Sequence, residues 1–368
     1  MFLEKLHLLN FKNYEEADLS LSPKINLFLG NNGGGKTNLL DALFYLAFCK
    51  SFFNPVDSQL IRQEEKFMVL QGSFDRKGEN ENIYCGLKKG QKKQFKRNKK
   101  LYERLADHIG LIPLVMISPS DSQLITEGSD VRRRFVDLII SQFNREYLDQ
   151  LIQYNRALSQ RNRLLKKFME VRRFDEAALE IWDDQLIRYG QPIFEARKAF
   201  VEDFVPLFES HYQYISQQKE TVSLAYESQL VDADFSDLLL QHREKDRRMT
   251  YSTAGVHKDD LTFEIKEMPL KKFGSQGQQK TFLLALKLAQ AEFLKNQMDV
   301  APILLLDDIY DKLDNKRVEQ LMEVVQQDWF GQVFISDTHL DRLPEIFKEL
   351  KADFKAFHIQ NGEVNEQK

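Results

Sequence analysis

The sequence contains few of the residues that mark secreted, fibrous or membrane proteins. Its 368 residues include 2 cysteines, 9 prolines and 16 glycines. Cys49 and Cys85 lie in apolar segments far apart in the sequence, so we expect buried thiols and a reducing compartment. No apolar run approaches the ~20 residues that span a membrane, and the N-terminal segment does not have the order of a signal peptide. We therefore expect a cytoplasmic protein with no membrane segment.

The chain also has no large excess of charge of either sign. It contains 52 Lys and Arg against 56 Asp and Glu, which gives a formal net charge of −4. A polyanionic partner would therefore have to bind a local basic surface, because the overall charge does not attract it. The length exceeds what one hydrophobic core usually supports, so we expect two domains or one domain with a large insertion.

A phosphate-binding pattern follows the first strongly apolar strand. Residues 30–38 have the spacing of a P-loop, with an apolar stretch before them and a helical pattern after them. Glycine leaves backbone N–H groups open to phosphate, and the N-terminus of the next helix adds the positive end of its dipole. We expect Lys36 to reach the β- and γ-phosphates and Thr37 to ligate Mg²⁺. The residues predicted to bind ATP here are Gly30, Asn31, Asn32, Gly33, Gly34, Gly35, Lys36, Thr37 and Asn38.

Two aspartates end a later apolar run in the Walker B pattern. Asp307 stands at the carboxyl end of its strand and, as we predict, beside the P-loop strand, where it would hold Mg²⁺ through water. Asp308 follows at a position from which a carboxylate could orient or deprotonate the attacking water. Aspartates at strand ends also cap helices, and this alternative stays open for both.

A second candidate anion site precedes a long predicted helix. Residues 274–279 place Ser275 and Gly277 at a helix start, with Gln278 beside them. One nucleotide needs only one such cradle, so the second is explained if it faces the γ-phosphate of a neighbouring subunit. We predict that Ser275, Gly277 and Gln278 contact ATP in this way. An ordinary helix N-cap is the alternative.

The remaining patterns indicate an α/β fold. Alternating apolar and polar residues predict antiparallel strands over 2–22 and 67–100. The apolar runs 302–306 and 333–335 are typical of parallel strands buried on both faces, in one sheet with the P-loop strand.

The middle of the chain indicates a helical insertion. Between Gly128 and Gly255 the only glycine is Gly190, and apolar residues recur at helical spacing. Because Gly190-Gln191-Pro192 and Pro206 interrupt this pattern, we expect short packed helices. The predicted domains are a discontinuous P-loop ATPase lobe, residues 1–120 and 250–368, and a helical lobe, residues 121–249.

Three basic segments are candidates for contacts with DNA phosphates. The segment 88–100 contains eight Lys or Arg and no acidic residue, with Phe95 among them. Arg132-Arg133-Arg134 begins a helix, and a helical basic face is formed by Arg161, Arg163, Lys166 and Lys167. Basic runs are more often solvated surface, and this alternative stays open for each of them. No pattern that reads bases is present, so any DNA binding should be independent of sequence.

Six blocks in this order and spacing resemble the RecF family of SMC/ABC-class ATPases. The matching blocks are Leu8-Leu9-Asn10-Phe11-Lys12-Asn13-Tyr14, the P-loop with Asn38, Ser118-Pro119-Ser120-Asp121 with Arg133-Arg134-Phe135-Val136-Asp137, Gly255-Val256-His257-Lys258-Asp259-Asp260, Gly274-Ser275-Gln276-Gly277-Gln278-Gln279-Lys280-Thr281, and Leu305-Leu306-Asp307-Asp308 with Leu313-Asp314. Val256 and Lys258 depart from the Pro and Arg usual in the family, and Gly33-Gly34 replaces a common Ala-Gln.

The resemblance implies an ABC/SMC-head-like P-loop ATPase lobe with a mixed sheet and a mainly helical second lobe. It also implies a weak DNA-dependent ATPase that acts as a switch: an ATP-dependent homodimer that binds double-stranded and gapped DNA, partners a RecR-like mediator and helps to load RecA. A Gln-loop counterpart is expected within 118–123. His339 lies two or three residues beyond the usual place of the ABC switch histidine.

Two other classes share parts of these motifs. The nucleotide-binding subunit of an ABC transporter would have Leu-Ser-Gly-Gly-Gln as its signature and a shorter segment before it. A P-loop kinase or GTPase would have no use for residues 274–279, and a GTPase would show Asn-Lys-x-Asp, which is absent from this sequence.

Overall fold

The computed structural model describes residues 1–217, 220–308, 325 and 330–367. The chain forms two compact units, Met1–Asp121 with Leu286–Lys368, and Ser122–Ala285. We call them the sheet unit and the helical unit. The first boundary lies one residue from the predicted one, whereas residues 250–285, predicted in the ATPase lobe, are grouped with the helical unit. They belong there because their main strand pairs with another strand of that unit.

The N-terminal part of the sheet unit is an antiparallel sheet, as predicted. Its strand order is β2-β1-β4-β5-β6-β7. The strands are β1 (Phe2–Phe11), β2 (Tyr14–Ser20), β4 (Phe67–Arg76), β5 (Glu79–Lys88), β6 (Gln94–Arg97) and β7 (Lys100–Leu101). Side chains alternate along β1 and β2, and the inward row, which includes Leu6, Leu8 and Leu19, is buried.

A second, mainly parallel sheet contains the P-loop strand. Its order is β15-β14-β3-β13-β12-β8, and only the β14–β15 pair is antiparallel. The strands are β3 (Ile25–Leu29), β8 (Leu114–Ile117), β12 (Ile303–Leu306), β13 (Val333–Asp337), β14 (Phe354–Gln360) and β15 (Glu363–Gln367). The prediction that Asp307 stands beside the P-loop strand is wrong, because β13 lies between β3 and β12.

Helix α1 (Lys36–Phe48) packs against strands of both sheets. Its residues from Leu39 to Phe48 are almost all buried, so it is apolar around its circumference. This burial fixes the start of the helix, which is the end of the P-loop. Helix α9 (Arg342–Glu349) follows β13.

Long helices dominate the helical unit. Its elements are α2 (Gln123–Thr126), α3 (Ser129–Phe143), α4 (Arg145–Val171), α5 (Glu176–Ser216), β9 (Val222–Glu227), α6 (Phe235–Met249), β10 (Asp260–Ile265), β11 (Met268–Pro269) and α7 (Leu270–Phe273). Helix α8 (Gln276–Gln297) begins in this unit and ends in the sheet unit. No helix of the described residues is both long and apolar enough to cross a membrane.

The prediction of short helices broken at the prolines is wrong for α5. This helix of 41 residues contains both Pro192 and Pro206. Each proline removes one backbone hydrogen bond, at a cost of about 3 kcal/mol in a helix interior. A row of buried aromatic side chains, which includes Phe200, Phe204 and Phe208, offsets this cost through packing. Gly190 does not interrupt the helix either: a Cβ there would lie 2.5 Å from the Phe235 ring, so glycine permits close packing.

Candidate nucleotide-binding site

The P-loop glycines stand where a side chain would clash with β14 or strain the backbone. Gly30 has φ 147°, and a Cβ there would lie 2.2 Å from the Ile359 carbonyl oxygen of β14. A Cβ at Gly34 would lie 2.9 Å from the same oxygen, and Gly35 has φ 122°. Only glycine adopts these conformations without strain. The loop therefore presents bare backbone at the N-terminus of α1, as an anion cradle requires.

Lys36 is the first residue of α1, and only 3% of its surface is exposed. Its Nζ donates hydrogen bonds to the carbonyl oxygens of Gly30 at 2.8 Å and Asn31 at 3.2 Å. Among the described residues, no carboxylate forms an ion pair with it. The ammonium is close enough to Asp307 to act against the rise in the pKa of that carboxyl, but its hydrogen bonds go to carbonyl oxygens, and a phosphate group is the charged partner that this position suits.

The two halves of the predicted metal site meet through side-chain hydrogen bonds. The Thr37 hydroxyl donates to Asp307 Oδ1 at 2.9 Å. The Ser336 hydroxyl, at the end of the intervening strand β13, donates to the same Oδ1 at 2.8 Å. The Asp308 N–H donates to Ser336 Oγ at 2.9 Å. Ser336 therefore connects the Walker B carboxylate to the backbone of the next residue.

Burial raises the pKa of Asp307 above its ordinary value, although the hydrogen bonds from Ser336 and Thr37 act in the opposite direction. A carboxylate that is poorly solvated and close to a hydroxyl ligand suits a divalent cation, which would replace the lost hydration. Asp308 adopts the left-handed region with φ 44°. Aspartate tolerates this conformation better than most residues.

Several residues that hold the P-loop escaped the site prediction. Asn13 Nδ2 donates to the Gly34 carbonyl at 3.0 Å, and the Asn38 side chain donates to Asn13 Oδ1 at 2.7 Å. The Tyr14 hydroxyl donates to the Gly35 carbonyl at 3.0 Å. Gly362 N–H donates to the Gly34 carbonyl at 3.0 Å. Asn13 and Tyr14 belong to a block that carried the resemblance, so their importance was visible. Nothing in the local sequence marks Gly362 or Ser336.

Residues 274–279 of the helical unit, which we call the serine turn, have the geometry of a capping box. Ser275 N–H donates to Gln278 Oε1 at 2.6 Å, and Gln278 N–H donates to Ser275 Oγ at 3.3 Å. The N-cap alternative is thus realised in this structure. Ser275 is nevertheless exposed, and Gly277 is half-buried. The turn therefore lies at the surface of the helical unit with the first N–H groups of α8 beside it.

The structure also shows the surroundings of the expected Gln-loop region, residues 118–123, and of His339. Within 118–123, Asp121 is buried, accepts the Ser118 N–H at 2.7 Å and pairs with Lys287 at 2.7 Å, so it is an anchored side chain. His339 is largely exposed, and its N–H donates to the Asp337 carboxylate at 3.3 Å. Leu313-Asp314 lies outside the described residues.

The basic segments differ in how much charge they leave exposed. In 88–100, Phe95 is buried, Lys93 pairs with Asp57, and Arg97 pairs with Glu81. The exposed cations of this segment are Lys88, Lys89, Lys92, Lys99 and Lys100.

Two arginines from the predicted basic segments have structural roles in the helical unit. Arg132 forms two hydrogen bonds with the Asp260 carboxylate, at 2.7 and 2.9 Å. Arg161, predicted on a basic face, is instead fully buried between Asp183 and Asp246 at 2.6 Å from each. Arg163, Lys166 and Lys167 are exposed, as a surface face requires.

Comparisons with known proteins place these motifs in a family. Residues 2–362 match the family described as RecF/RecN/SMC N terminal domain. The DNA replication and repair protein RecF of Phocaeicola vulgatus is 54% identical over an alignment of 370 residues that covers 100% of this chain and 99% of that protein. The corresponding protein of Flavobacterium johnsoniae is 52% identical over 359 residues, with 98% and 100% covered.

Solved structures agree with this placement. A structure of the recombination mediator protein RecF with ATP has a TM-score of 0.89 at 28% identity and covers 100% of this chain and 98% of its own. An Smc head bound to a ScpA domain has a TM-score of 0.59 at 16% identity, with 100% and 97% covered, and so shares the fold. On the full-length match in sequence and structure, this chain belongs to the RecF family.

Proposed function

We propose that this protein is an ATP-hydrolysing switch that binds DNA in replication and repair. The observation that carries the proposal is the buried Lys36 ammonium at the glycine cradle, whose hydrogen bonds among the described residues go to backbone carbonyls. Family membership supports the same activity, because relatives of this chain are named DNA replication and repair proteins and a RecF structure contains ATP. It also argues against a transporter subunit, a kinase or a GTPase.

The residues of the site fit a nucleoside triphosphate with Mg²⁺. The N–H groups from Gly33 to Thr37 would receive the phosphates, and Lys36 would reach the β- and γ-phosphates. The oxygens of Thr37 and Asp307, 2.9 Å apart, are the hard donors that Mg²⁺ prefers. When bound, the ion would neutralise charge on the β- and γ-phosphates.

The protein's own groups would position the attacking water. Asp308, next to the metal carboxylate, is our candidate for orienting or deprotonating that water. Its backbone N–H is held by Ser336, and the same hydroxyl fixes Asp307. The two aspartates would therefore keep their relative orientation while nucleotide exchanges.

ATP would act by joining two copies of the chain. We propose that Ser275, Gly277 and Gln278 of one copy close over the γ-phosphate held by Lys36 and Thr37 of the other. Exposure of the serine turn supports this role, since a turn that serves only its own helix need not be accessible. Hydrolysis would remove the shared phosphate and release the dimer. The protein would then be a weak, DNA-dependent ATPase whose slow hydrolysis sets how long the dimer lasts.

DNA would be the partner, bound through phosphates. The exposed lysines of 88–100 would contact duplex or gapped DNA, each contact adding to the salt dependence. Membership of the family supports a RecR-like mediator as a further partner and RecA as an indirect one. We propose a cytoplasmic location, where these partners and DNA would be found.

DNA affinity with and without ATP tests the proposal. Fluorescence anisotropy would be measured with labelled gapped duplex, for the parent chain and for Asp308→Asn. We expect tighter binding with ATP, and a longer-lived complex for Asp308→Asn because hydrolysis no longer ends it. DNA affinity that is unaffected by ATP in both proteins would refute the switch. Normal ATP turnover by Asp308→Asn would remove that residue from its role.

A further inference from the structure

One carbonyl group of the P-loop is held by two segments that are distant from each other in the sequence. The Gly34 carbonyl oxygen accepts hydrogen bonds from Asn13 Nδ2 and from the Gly362 N–H, each at 3.0 Å. Asn13 lies in the turn between β1 and β2, and Gly362 lies in the turn between β14 and β15. A carbonyl oxygen has two lone pairs, so these donors use its full capacity. The Gly34 carbonyl therefore has a fixed direction.

This attachment sets the direction of the next N–H group in the loop. In a trans peptide, the C=O of one residue and the N–H of the next point in opposite directions. The Gly35 N–H is therefore directed away from Asn13 and Gly362. Gly35 is buried, and among the described residues its N–H has no hydrogen-bond acceptor. Buried N–H groups without an acceptor are rare, so this donor is available for an anion.

The turn between β14 and β15 approaches Asn13 too closely for a side chain. Asn361 and Gly362 both adopt the left-handed region, with φ 50° and 83°, a pair typical of two-residue hairpin turns. A Cβ at Gly362 would lie 2.4 Å from the Asn13 carbonyl oxygen. This neighbour is a backbone atom, so no side-chain rotation relieves the contact. A larger residue at position 362 would therefore push the turn away from Asn13 and from Gly34.

We propose that Asn13 and Gly362 are positioning residues of the ATP site, which act through the Gly34 carbonyl and keep the Gly35 N–H directed at the phosphates. The peptide between Gly34 and Gly35 has glycine on both sides, so its rotation meets little steric resistance once the two hydrogen bonds are lost. A rotated peptide would present its carbonyl oxygen to the phosphates, and the cradle would lose a donor. The C-terminal hairpin therefore contributes to how tightly the P-loop binds nucleotide.

This inference rests on the proposed ATP site, and the parent chain separates the failure of one from the failure of the other. The probe is ADP with Mg²⁺ in isothermal titration calorimetry, because ADP carries phosphates that the loop N–H groups cradle and is not hydrolysed. No ADP binding by the parent would refute the proposed site, and this inference with it. Binding by the parent that Gly362→Ala and Asn13→Ala retain in full would overturn this inference alone.

The two variants each remove one donor from the Gly34 carbonyl. Gly362→Ala displaces the hairpin turn, whereas Asn13→Ala removes a side-chain amide. The matched control for Gly362→Ala is Gly78→Ala in the turn between β4 and β5, where Lys77 and Gly78 have φ 56° and 85° and a Cβ at Gly78 would lie in open space. Both glycine variants place alanine in a left-handed conformation, and only Gly362→Ala disturbs the P-loop.

We expect Gly362→Ala and Asn13→Ala each to weaken ADP binding about 5-fold, the loss of one hydrogen bond, and Gly78→Ala to change it less than about 2-fold. Hydrogen exchange adds a readout that a purely structural role would not move. Because coupling is reciprocal, ADP should slow exchange over residues 354–367 of the parent about 5-fold and leave α6, in the other unit, unchanged. Equal losses of ADP binding in the two glycine variants, or unchanged exchange over 354–367, would overturn the proposal.

Discussion

Both units of this protein bury cations, but they pair them differently. In the helical unit, Arg161 lies between Asp183 and Asp246, and Arg197 lies between Asp137 and Asp259. In the sheet unit, Lys36 is almost as deeply buried but is held by carbonyl oxygens. The first arrangement gives each cation carboxylate partners from its own unit and ties the elements of that unit together. The second arrangement leaves a positive charge that a ligand can use. A carboxylate partner therefore distinguishes the buried cations that stabilise the fold from the one that we assign to binding.

The largest effect should come from breaking a completed network. Arg161→Ala would remove the arginine partner of buried Asp246 and leave Asp183 with Arg243 at 3.5 Å, and it should lower the free energy of unfolding by about 3–5 kcal/mol. Urea denaturation followed by far-ultraviolet circular dichroism measures this change. Arg156→Ala, an exposed arginine of the same helix, is the control and should change stability by less than about 0.5 kcal/mol. A small loss at Arg161 would mean that its pairs do not hold the unit together.

Removing Lys36, which has no carboxylate in an ion pair with it, should reduce ligand binding more than stability. Lys36→Ala should weaken ATP affinity by about 10–100-fold, the loss of charge-assisted hydrogen bonds worth about 1.5–3 kcal/mol, with little loss of stability. Isothermal titration calorimetry with ATP and a urea denaturation curve measure the two quantities. Lys5→Ala, an exposed lysine of β1, is the control. If Lys36→Ala lost as much stability as Arg161→Ala, Lys36 would be a structural residue.

Acid should weaken both units, since each contains a histidine whose pKa is lowered by burial. Burial lowers the pKa of His108 and of His257 from 6.5 to about 4. Between these values the unfolded chain binds protons that the folded chain does not, so stability falls as pH decreases from 6.5 toward 4. Each histidine should contribute about 2 kcal/mol of loss between pH 7 and 5.

Urea denaturation of the parent, His108→Gln and His257→Gln at both pH values isolates each contribution. Each variant should show a smaller difference between pH 7 and 5 than the parent does. An unchanged difference in both variants would place the acid sensitivity elsewhere.

The smallest effect should come from the hydroxyl that positions the two aspartates. Ser336→Ala should lower kcat about 10-fold, equivalent to about 1.4 kcal/mol, and raise the Mg²⁺ concentration needed for half-maximal activity, with ATP affinity nearly unchanged. Ser336→Thr keeps the hydroxyl and should restore most of the rate. A steady-state ATPase assay over a Mg²⁺ series measures this. Equal rates for parent and alanine variant would exclude a positioning role.

The sequence predicted the parts of the site that are contiguous. The P-loop glycines, Lys36 and the helix after them depend on local spacing, and their geometry follows the pattern. Ser336 and Gly362 were missed because the sheet order brings them to the site, and one sequence does not reveal that order. For the same reason β13 was not placed between β3 and β12.

Local rules also failed where packing dominates. Pro192 and Pro206 predict helix ends, yet α5 continues because its buried aromatic face stabilises more than two lost hydrogen bonds cost. Arg161 resembles its exposed neighbours on α4 in sequence, and only the approach of Asp183 and Asp246 makes it a core residue. The propensity of a single residue does not reveal which residues, distant in the sequence, will pack against it in the fold.

The most direct test of the account is sedimentation velocity of the Asp308→Asn chain with ATP and Mg²⁺, compared with the same chain carrying Ser275→Arg. The account predicts a dimer that Ser275→Arg converts to monomer while ATP binding is retained. Gln241→Arg, which adds a charge at another exposed position of the helical unit, should leave the dimer intact. A chain that stays monomeric with ATP, or a dimer that tolerates arginine at position 275, would contradict the account.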